Sequence, residues 1–230
     1  MTIKRGESRD IDNRKLRSLT SGETFVPALG KHVAWEGYGE RAASIVLARH
    51  PGLRDIVSQP KALQVSVNGE RRKYTGDFEL SLEPQPNLVV ELKGDRDLKK
   101  DAVLEKLRAA DFEIGKSGRR FAVINGTRLC RSIELRNTQL LRRYASVDVP
   151  AQLLDVLLGV FRSMSSVPLG DLVEGLKEQC IERPHIYALI YQGFLDFDWS
   201  LLLDDDSLVS RGERSKFSLP GNAPLHREPR

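Results

Sequence analysis

The stretch Asn87 to Lys93, Asn-Leu-Val-Val-Glu-Leu-Lys, constrains the fold more than any other part of the chain. Its nearly continuous apolar run is that of a strand buried on both faces, and such a strand needs a covering layer on each side. The run nevertheless ends in Glu91 and Lys93, at a place where charge is otherwise unwelcome. Side chains two apart on a strand point the same way, about 7 Å from each other. Glu91 and Lys93 therefore share a face, and Leu92 points into the opposite layer. Upstream, residues 62 to 67 alternate as a strand, Asn68-Gly69 is a strong hairpin turn, and residues 71 to 82 read as the return strand, carrying Asp77. Pro84 and Pro86 end it.

The flanking segments supply the layers. Trp35 to His50 reads as a helix ended by Pro51-Gly52, with Ala42, Ile45 and Val46 in one apolar stripe. Glu40 shares a neighbouring face with Ala43 and Leu47, and Glu36, one turn earlier, competes with it for a place in any site. Downstream, Gly94-Asp95-Arg96-Asp97 opens a helix reaching about Ile114, with Val103, Leu107 and Ala110 inward and Lys99, Lys100, Lys106 and Arg108 outward. Residues 120 to 124 form another apolar strand, and residues 132 to 145 a very basic helix. The expected result is an α/β domain, a small mixed sheet with helices on its faces.

The composition changes near Val147 to Pro150. Three helices follow, at 152 to 162, from Pro168 to about Cys180, and from Arg183 to about Gly193, and then a loose hairpin around Asp204-Asp205-Asp206. Such a set suggests a small winged-helix-like α+β module. The chain thus divides into a basic arm at 1–30, the sheet domain at 31–148, the small domain at 149–210, and a disordered tail at 211–230. Arg5, Arg9, Arg14, Lys15 and Arg17 in the arm could follow a phosphate backbone.

Composition narrows the function classes. With 40% hydrophobic and 30% charged residues the chain is ordinary soluble globular material. No apolar run approaches the roughly 18 residues of a membrane span, and the charged start lacks the apolar core of a secretory signal. A cytoplasmic protein with no membrane partner is expected. Cys130 and Cys180 are too few and too separated for a disulfide framework or zinc cluster, and both are expected as buried small residues. The net charge of +4 conceals an uneven distribution. Residues 96 to 143 hold 13 Lys/Arg against 6 Asp/Glu, whereas residues 150 to 210 hold 3 against 10. The basic half suits a polyanion such as nucleic acid, and the acidic half argues for a protein partner.

Phosphodiester hydrolysis requires a positioned water, neutralisation of the phosphate and help for the leaving oxygen, and carboxylates holding one or two Mg²⁺ ions supply most of this. Asp77 and Glu91 suit such ions, joined by the backbone carbonyl of Leu92 at the same strand end, with Lys93 beside the attacking water and Glu40 reaching in from the helix. An acid-x-lysine pattern alone is common in so charged a chain. Asp97-Leu98-Lys99 matches it too, but opens a polar helix instead of ending a buried strand.

Tyr74-Thr-Gly-Asp77-Phe followed by Val-Val-Glu91-Leu-Lys93-Gly resembles the PD-(D/E)XK restriction-endonuclease-like nucleases, with Gly76 in place of the usual proline. The longer pattern is similar to the amino-terminal domain of the TnsA family, the endonuclease subunits of heteromeric transposases. It comprises Trp35-Glu-Gly-Tyr-Gly-Glu40-Arg, then Pro51 through Gln59-Pro60, then the Asp77 motif, over about residues 30 to 145. The second half, with Gly193-Phe-Leu-Asp-Phe-Asp198, looks similar to that family's carboxy-terminal domain more weakly. The resemblance implies a restriction-endonuclease-like sheet with Glu40, Asp77 and Lys93 at catalytic positions and Glu91 at a metal position. It also implies Mg²⁺ dependence with Mn²⁺ as a substitute, and cleavage of the 5′ strand at transposon ends in double-stranded DNA. A DDE transposase and an ATPase regulator would be partners in a bacterial cytoplasm. Lys99, Lys100, Lys106, Arg119, Arg120, Arg142 and Arg143 are the expected DNA contacts. A free-standing restriction or repair nuclease, and a non-catalytic DNA-bound adaptor on the same scaffold, are the alternatives.

Overall fold

The computed structural model describes residues 20 to 212. The basic arm up to residue 19 and the tail from residue 213 lie outside the described residues. The chain forms two compact units that divide between residues 131 and 132, with residues 49 to 51 belonging to the second.

The first unit is built on a four-stranded mixed sheet. Its strands are β3 (Leu53–Ser58), β6 (Phe78–Leu82), β7 (Leu88–Lys93) and β8 (Arg120–Asn125), in that order. The first two junctions are antiparallel and the β7–β8 junction is parallel. The run read first from the sequence is thus a central strand, and Leu88, Val89 and Val90 are buried as expected. Between β7 and β8 the chain crosses through helix α2 (Asp101–Lys116), which buries Leu104, Leu107, Ala110 and Ile114 at helical spacing.

Three differences from the sequence reading matter. Residues 21 to 30, expected in the arm, begin a hairpin: strand β1 (Ser21–Val26) pairs with β2 (Lys31–Glu36), and Trp35 and Glu36 end the second strand instead of opening a helix. Helix α1 covers only Gly37–Leu47. Second, β3 was not visible as a strand, because its charged Arg54 and Asp55 mask the buried Leu53, Ile56 and Ser58. Third, the expected return strand at 71 to 82 is two strands in different sheets. The hairpin of β4 (Leu63–Val67) and β5 (Glu70–Tyr74) turns at Asn68 and Gly69, both at positive φ, as the Asn-Gly signal requires. The chain then breaks at Gly76, where an ideal Cβ would lie 2.6 Å from Val89 Cγ1. Only a residue without a side chain lets the backbone pass that close. The hairpin's Val65, Val67 and Tyr74 pack with Ala110 and Ile114 of α2 and with Val89 of the sheet.

The second unit holds α4 (Ile133–Leu141), α5 (Ala151–Val160), α6 (Leu169–Gly175) and α7 (Arg183–Tyr191), after the short α3 (Gly126–Leu129) that closes the first unit. A three-stranded antiparallel sheet, with β11 (Leu208–Arg211) between β10 (Leu195–Asp196) and β9 (Ser166–Pro168), completes it. The boundary precedes α4 instead of falling at 148, because Leu141 is wholly buried in the second unit's core and Tyr144 stacks edge-on against Tyr187 at 5.1 Å. The basic helix therefore carries Arg142 and Arg143 into the unit read as acidic. The expected burial of the cysteines also fails. Cys130 and Cys180 are both exposed free thiols that end short helical segments, Cys180 in the left-handed region at φ 59°. No helix among the described residues is long and apolar enough to cross a membrane.

Candidate active site

Asp77 stands one residue before β6, in the three-residue passage from the hairpin to the sheet. Its backbone is fixed on both sides: its N–H donates to Val90 O at 2.9 Å, and its carbonyl accepts from Gln59 N–H at 2.8 Å. Its side-chain Oδ2 accepts from the backbone N–H of Leu92 at 2.6 Å, which ties it to the end of β7. The strand end thus brings Asp77, Glu91, Leu92 and Lys93 together, as the sequence reading placed them.

Glu91 is a carboxylate only 5% exposed on a central strand. Tyr74 donates its hydroxyl to Glu91 Oε2 at 2.8 Å, and Lys93 Nζ donates to Oε1. Lys93 Nζ also donates to the Leu92 carbonyl at 3.2 Å, so that carbonyl faces the same space as the lysine. Burial pulls the Lys93 ammonium downward, but the attraction and hydrogen bond of Glu91, with Asp77 behind it, outweigh burial and hold its pKa above the usual lysine value.

Glu40 enters from α1. That helix packs beside the strand end: a Cβ on Gly39 would be in ordinary van der Waals contact, 3.6 Å from the Gly126 Cα and 3.7 Å from Leu92 Cδ2. Leu92, pointing away from Glu91 along the pleat, is the apolar seat on which the helix rests. Glu40 Oε2 accepts from the N–H of Glu36 at 2.7 Å. The Glu36 backbone steadies Glu40, whose carboxyl lies in the field of Glu36, Glu91 and Lys93.

The electrostatics of the cluster are those of negative charge gathered away from water. Burial first, then repulsion from Glu36 and Glu91, raises the Glu40 carboxyl to about 7. Burial, then repulsion from Glu91 and Glu40, raises Asp77 to about 8. Burial and the neighbouring Glu91 charge likewise push the Tyr74 phenol upward. One lysine does not balance three carboxyls, and such perturbed groups mark sites where a cation or a reaction is expected.

The donors are carboxylate and carbonyl oxygens, the hard set that Mg²⁺ prefers. No group of three His, Cys, Asp or Glu side chains among the described residues is set to hold a metal ion by itself. Mg²⁺ is commonly bound by one or two carboxylates, completed by water and substrate phosphate, instead of by an all-protein cage. Asp77, Glu91, Glu40 and the Leu92 carbonyl fit that manner of binding.

Two neighbours were not assigned to the site by sequence reasoning. Tyr74 was noted only as the first letter of the aspartate motif. Gln59 was noted only as part of the Gln-Pro pair. Gln59 is 5% exposed, adopts φ 46° despite its side chain, and its amide oxygen is buried without a hydrogen-bond partner. Strained backbone of this kind gathers at functional sites.

The expected DNA contacts are divided between the two units. Lys99, Lys100, Lys106, Arg119 and Arg120 belong to the first unit, Arg142 and Arg143 to the second. Lys100 is paired with Asp97 at 2.8 Å, Arg119 with Glu79 at 3.2 Å, Arg120 donates to Gln85 at 3.1 Å, and Lys106 lies 5.4 Å from the Tyr74 ring centre. Compared with known protein families and with curated proteins, the chain matches none.

Proposed function

We propose that the chain is a Mg²⁺-dependent DNA endonuclease with a PD-(D/E)XK restriction-endonuclease-like first domain. Its role would be to cut the 5′ strand at transposon ends beside a DDE transposase and an ATPase regulator. The observation that carries this reading is the gathering of Glu40, Asp77, Glu91 and Lys93 at one strand end, from helix α1, the passage before β6 and the end of β7. The motif resemblance supplies the transposition context.

In this reading Asp77, Glu91, Glu40 and the Leu92 carbonyl hold the metal, with Mn²⁺ able to replace it. When bound, the ion polarises the scissile phosphate and makes its water more acidic. The Leu92 N–H keeps the Asp77 carboxyl oriented, and the Glu36 N–H does the same for Glu40. Lys93, held charged by Glu91, lends its ammonium to the developing charge on the phosphate or to the attacking water. The second unit serves partner proteins. Leu201, Leu202 and Leu208 are exposed around an apolar cleft that Asp198, Asp204 and Asp206 also line, and exposed apolar surface with a polar rim marks protein contacts. Its winged-helix-like character rests on helices α5, α6 and α7 and the small antiparallel sheet.

The test is Mg²⁺-dependent nicking of a transposon-end duplex with the partner transposase present. Wild type should nick one strand, and Lys93→Ala should lose at least about 10³-fold, or ~4 kcal/mol. Normal cutting by Lys93→Ala would sink the mechanism. Efficient cutting by the chain alone would replace the transposition reading with a free-standing restriction or repair nuclease. Absence of Mn²⁺ binding in calorimetry, in wild type and Asp77→Ala alike, would leave a non-catalytic adaptor.

A further inference from the structure

We infer that the outer face of the β4–β5 hairpin is a docking surface for the phosphate backbone of duplex DNA, positioned to lead the duplex to Asp77. This deepens the nuclease reading and rests on it.

The hairpin has two unlike faces. Cross-strand partners in an antiparallel pair point to the same side, so the register separates them. Leu63 opposite Tyr74, Val65 opposite Arg72 and Val67 opposite Glu70 form the inner side, with Val65, Val67 and Tyr74 buried against α2 and the sheet. Gln64 opposite Lys73 and Ser66 opposite Arg71 form the outer side, and all four are exposed. That outer side holds two cations, two neutral polar residues and no acid. Lys61, just before β4, is exposed as well.

What separates these cations from several others in the first unit is that they stand on a face without an acid and have no carboxylate partner among the described residues. Arg54 is paired with Glu83, Lys100 with Asp97, Lys116 with Glu113 and Arg119 with Glu79. Arg72, at the edge of the inner side, is paired with Glu70 at 2.8 Å. Arg71 and Lys73 make no ion pair among the described residues. Cations already satisfied by carboxylates release few counterions on binding a polyanion, whereas unpaired ones contribute fully to phosphate affinity. The basic segment that the charge count singled out, residues 96 to 143, is in part internally compensated, with Lys100, Lys116, Arg119 and Arg128 paired to carboxylates.

Position supports the same conclusion. Tyr74 ends the hairpin and donates its hydroxyl to Glu91, so the hairpin is anchored directly on the site. Six residues separate Arg71 from Asp77, a span of at most ~20 Å of extended chain. That is less than one turn of duplex, about 34 Å. A duplex whose scissile phosphate lies at Asp77 therefore has backbone within reach of this face.

The experiment measures duplex binding in the Asp77→Asn background, which prevents cleavage, by anisotropy of a labelled short duplex over a series of KCl concentrations. Arg71→Ala/Lys73→Ala should reduce the slope of log affinity against log salt by about 2 and weaken low-salt binding by about 10-fold or more. Arg54→Ala/Lys116→Ala, which removes two paired cations, should leave the slope unchanged. An unchanged slope in the hairpin variant would overturn this inference while leaving the nuclease reading intact. The two cations would then serve only to guard an exposed strand edge against association. No duplex binding by the Asp77→Asn parent at low salt would likewise overturn this inference, and the nuclease reading is tested apart from it by nicking with the partner transposase present. Both exposed substitutions leave the hairpin's core untouched, and an unchanged melting temperature verifies that.

Discussion

Each unit of this protein buries charge, and the two do so in opposite ways. In the second unit, Arg49 and Glu134 are 10% and 16% exposed in their side chains, bonded to each other, and Arg49 lies 3.7 Å over the ring centre of Trp199. Burial lowers the Arg49 pKa and raises that of Glu134, with each partner's charge opposing the shift in the other. The charges cancel, and the arrangement is a structural clasp. In the first unit, Glu40, Asp77 and Glu91 share one lysine, and nothing else among the described residues cancels the excess negative charge. Burying a charge is costly in both places. Where the cost is met inside the chain, the group holds structure together. Where it is not, the site is prepared for a cation from outside.

The largest expected effect breaks the clasp. Arg49→Met leaves Glu134 buried without its cation and should destabilise the protein by about 3 to 5 kcal/mol in urea unfolding. Adding Glu134→Leu should recover most of that loss, because the double variant buries no orphan charge. If the single variant is as stable as wild type, the pair is not a clasp and the contrast fails.

The opposite sign is expected at the carboxyl cluster. A carboxyl whose pKa rises on folding stabilises the fold below its unfolded pKa, and that contribution is lost as pH rises through the folded value. For Asp77 the window runs from 3.8 to about 8, and for Glu40 from 4.5 to about 7. Metal-free protein should therefore lose stability between about pH 5 and pH 8. Asp77→Asn should be more stable than wild type at pH 8 by about 2 kcal/mol and should not differ below pH 4. Saturating Mn²⁺ should remove the wild-type deficit, because it binds only the folded cluster. Thermal unfolding across pH, with and without Mn²⁺, measures both. An Asp77→Asn protein less stable than wild type at pH 8 would show that the cluster is a compensated structural network like the clasp.

The smallest effect sharpens the comparison at a single atom. Tyr74→Phe keeps the packed ring, whose edge faces Phe121 at 6.1 Å, and deletes the donor to Glu91 Oε2. A loss of about 1 kcal/mol is expected in metal-free protein, the ordinary value of one buried hydrogen bond. No change would place Glu91 in contact with water that takes over the bond.

The strand Leu88–Lys93, the two charges at its end, the Asn-Gly hairpin and helix α2 were all legible from residue order, because each is specified by local periodicity or turn chemistry. That Asp77, Glu91 and Lys93 meet at one strand end was legible too, since a charge ending a buried strand is conspicuous. The strand at Leu53–Ser58 and the hairpin at Ser21–Glu36 were not, because polar residues on their outer faces hide short buried patterns until a partner strand is known. How α1 packs beside Leu92 was not legible either, because it joins Gly39 to Gly126, residues 87 positions apart in the chain. The unit boundary followed the same logic. Helix α4 is basic by composition, but Leu141 is buried with the second unit, and packing overrode charge. Sequence alone determined the chemistry available at the strand end, since residue type and strand period are local properties. Tertiary structure decided which groups are buried together, which cations are already paired and which carboxyls remain uncompensated, because burial and charge balance depend on neighbours distant in the chain.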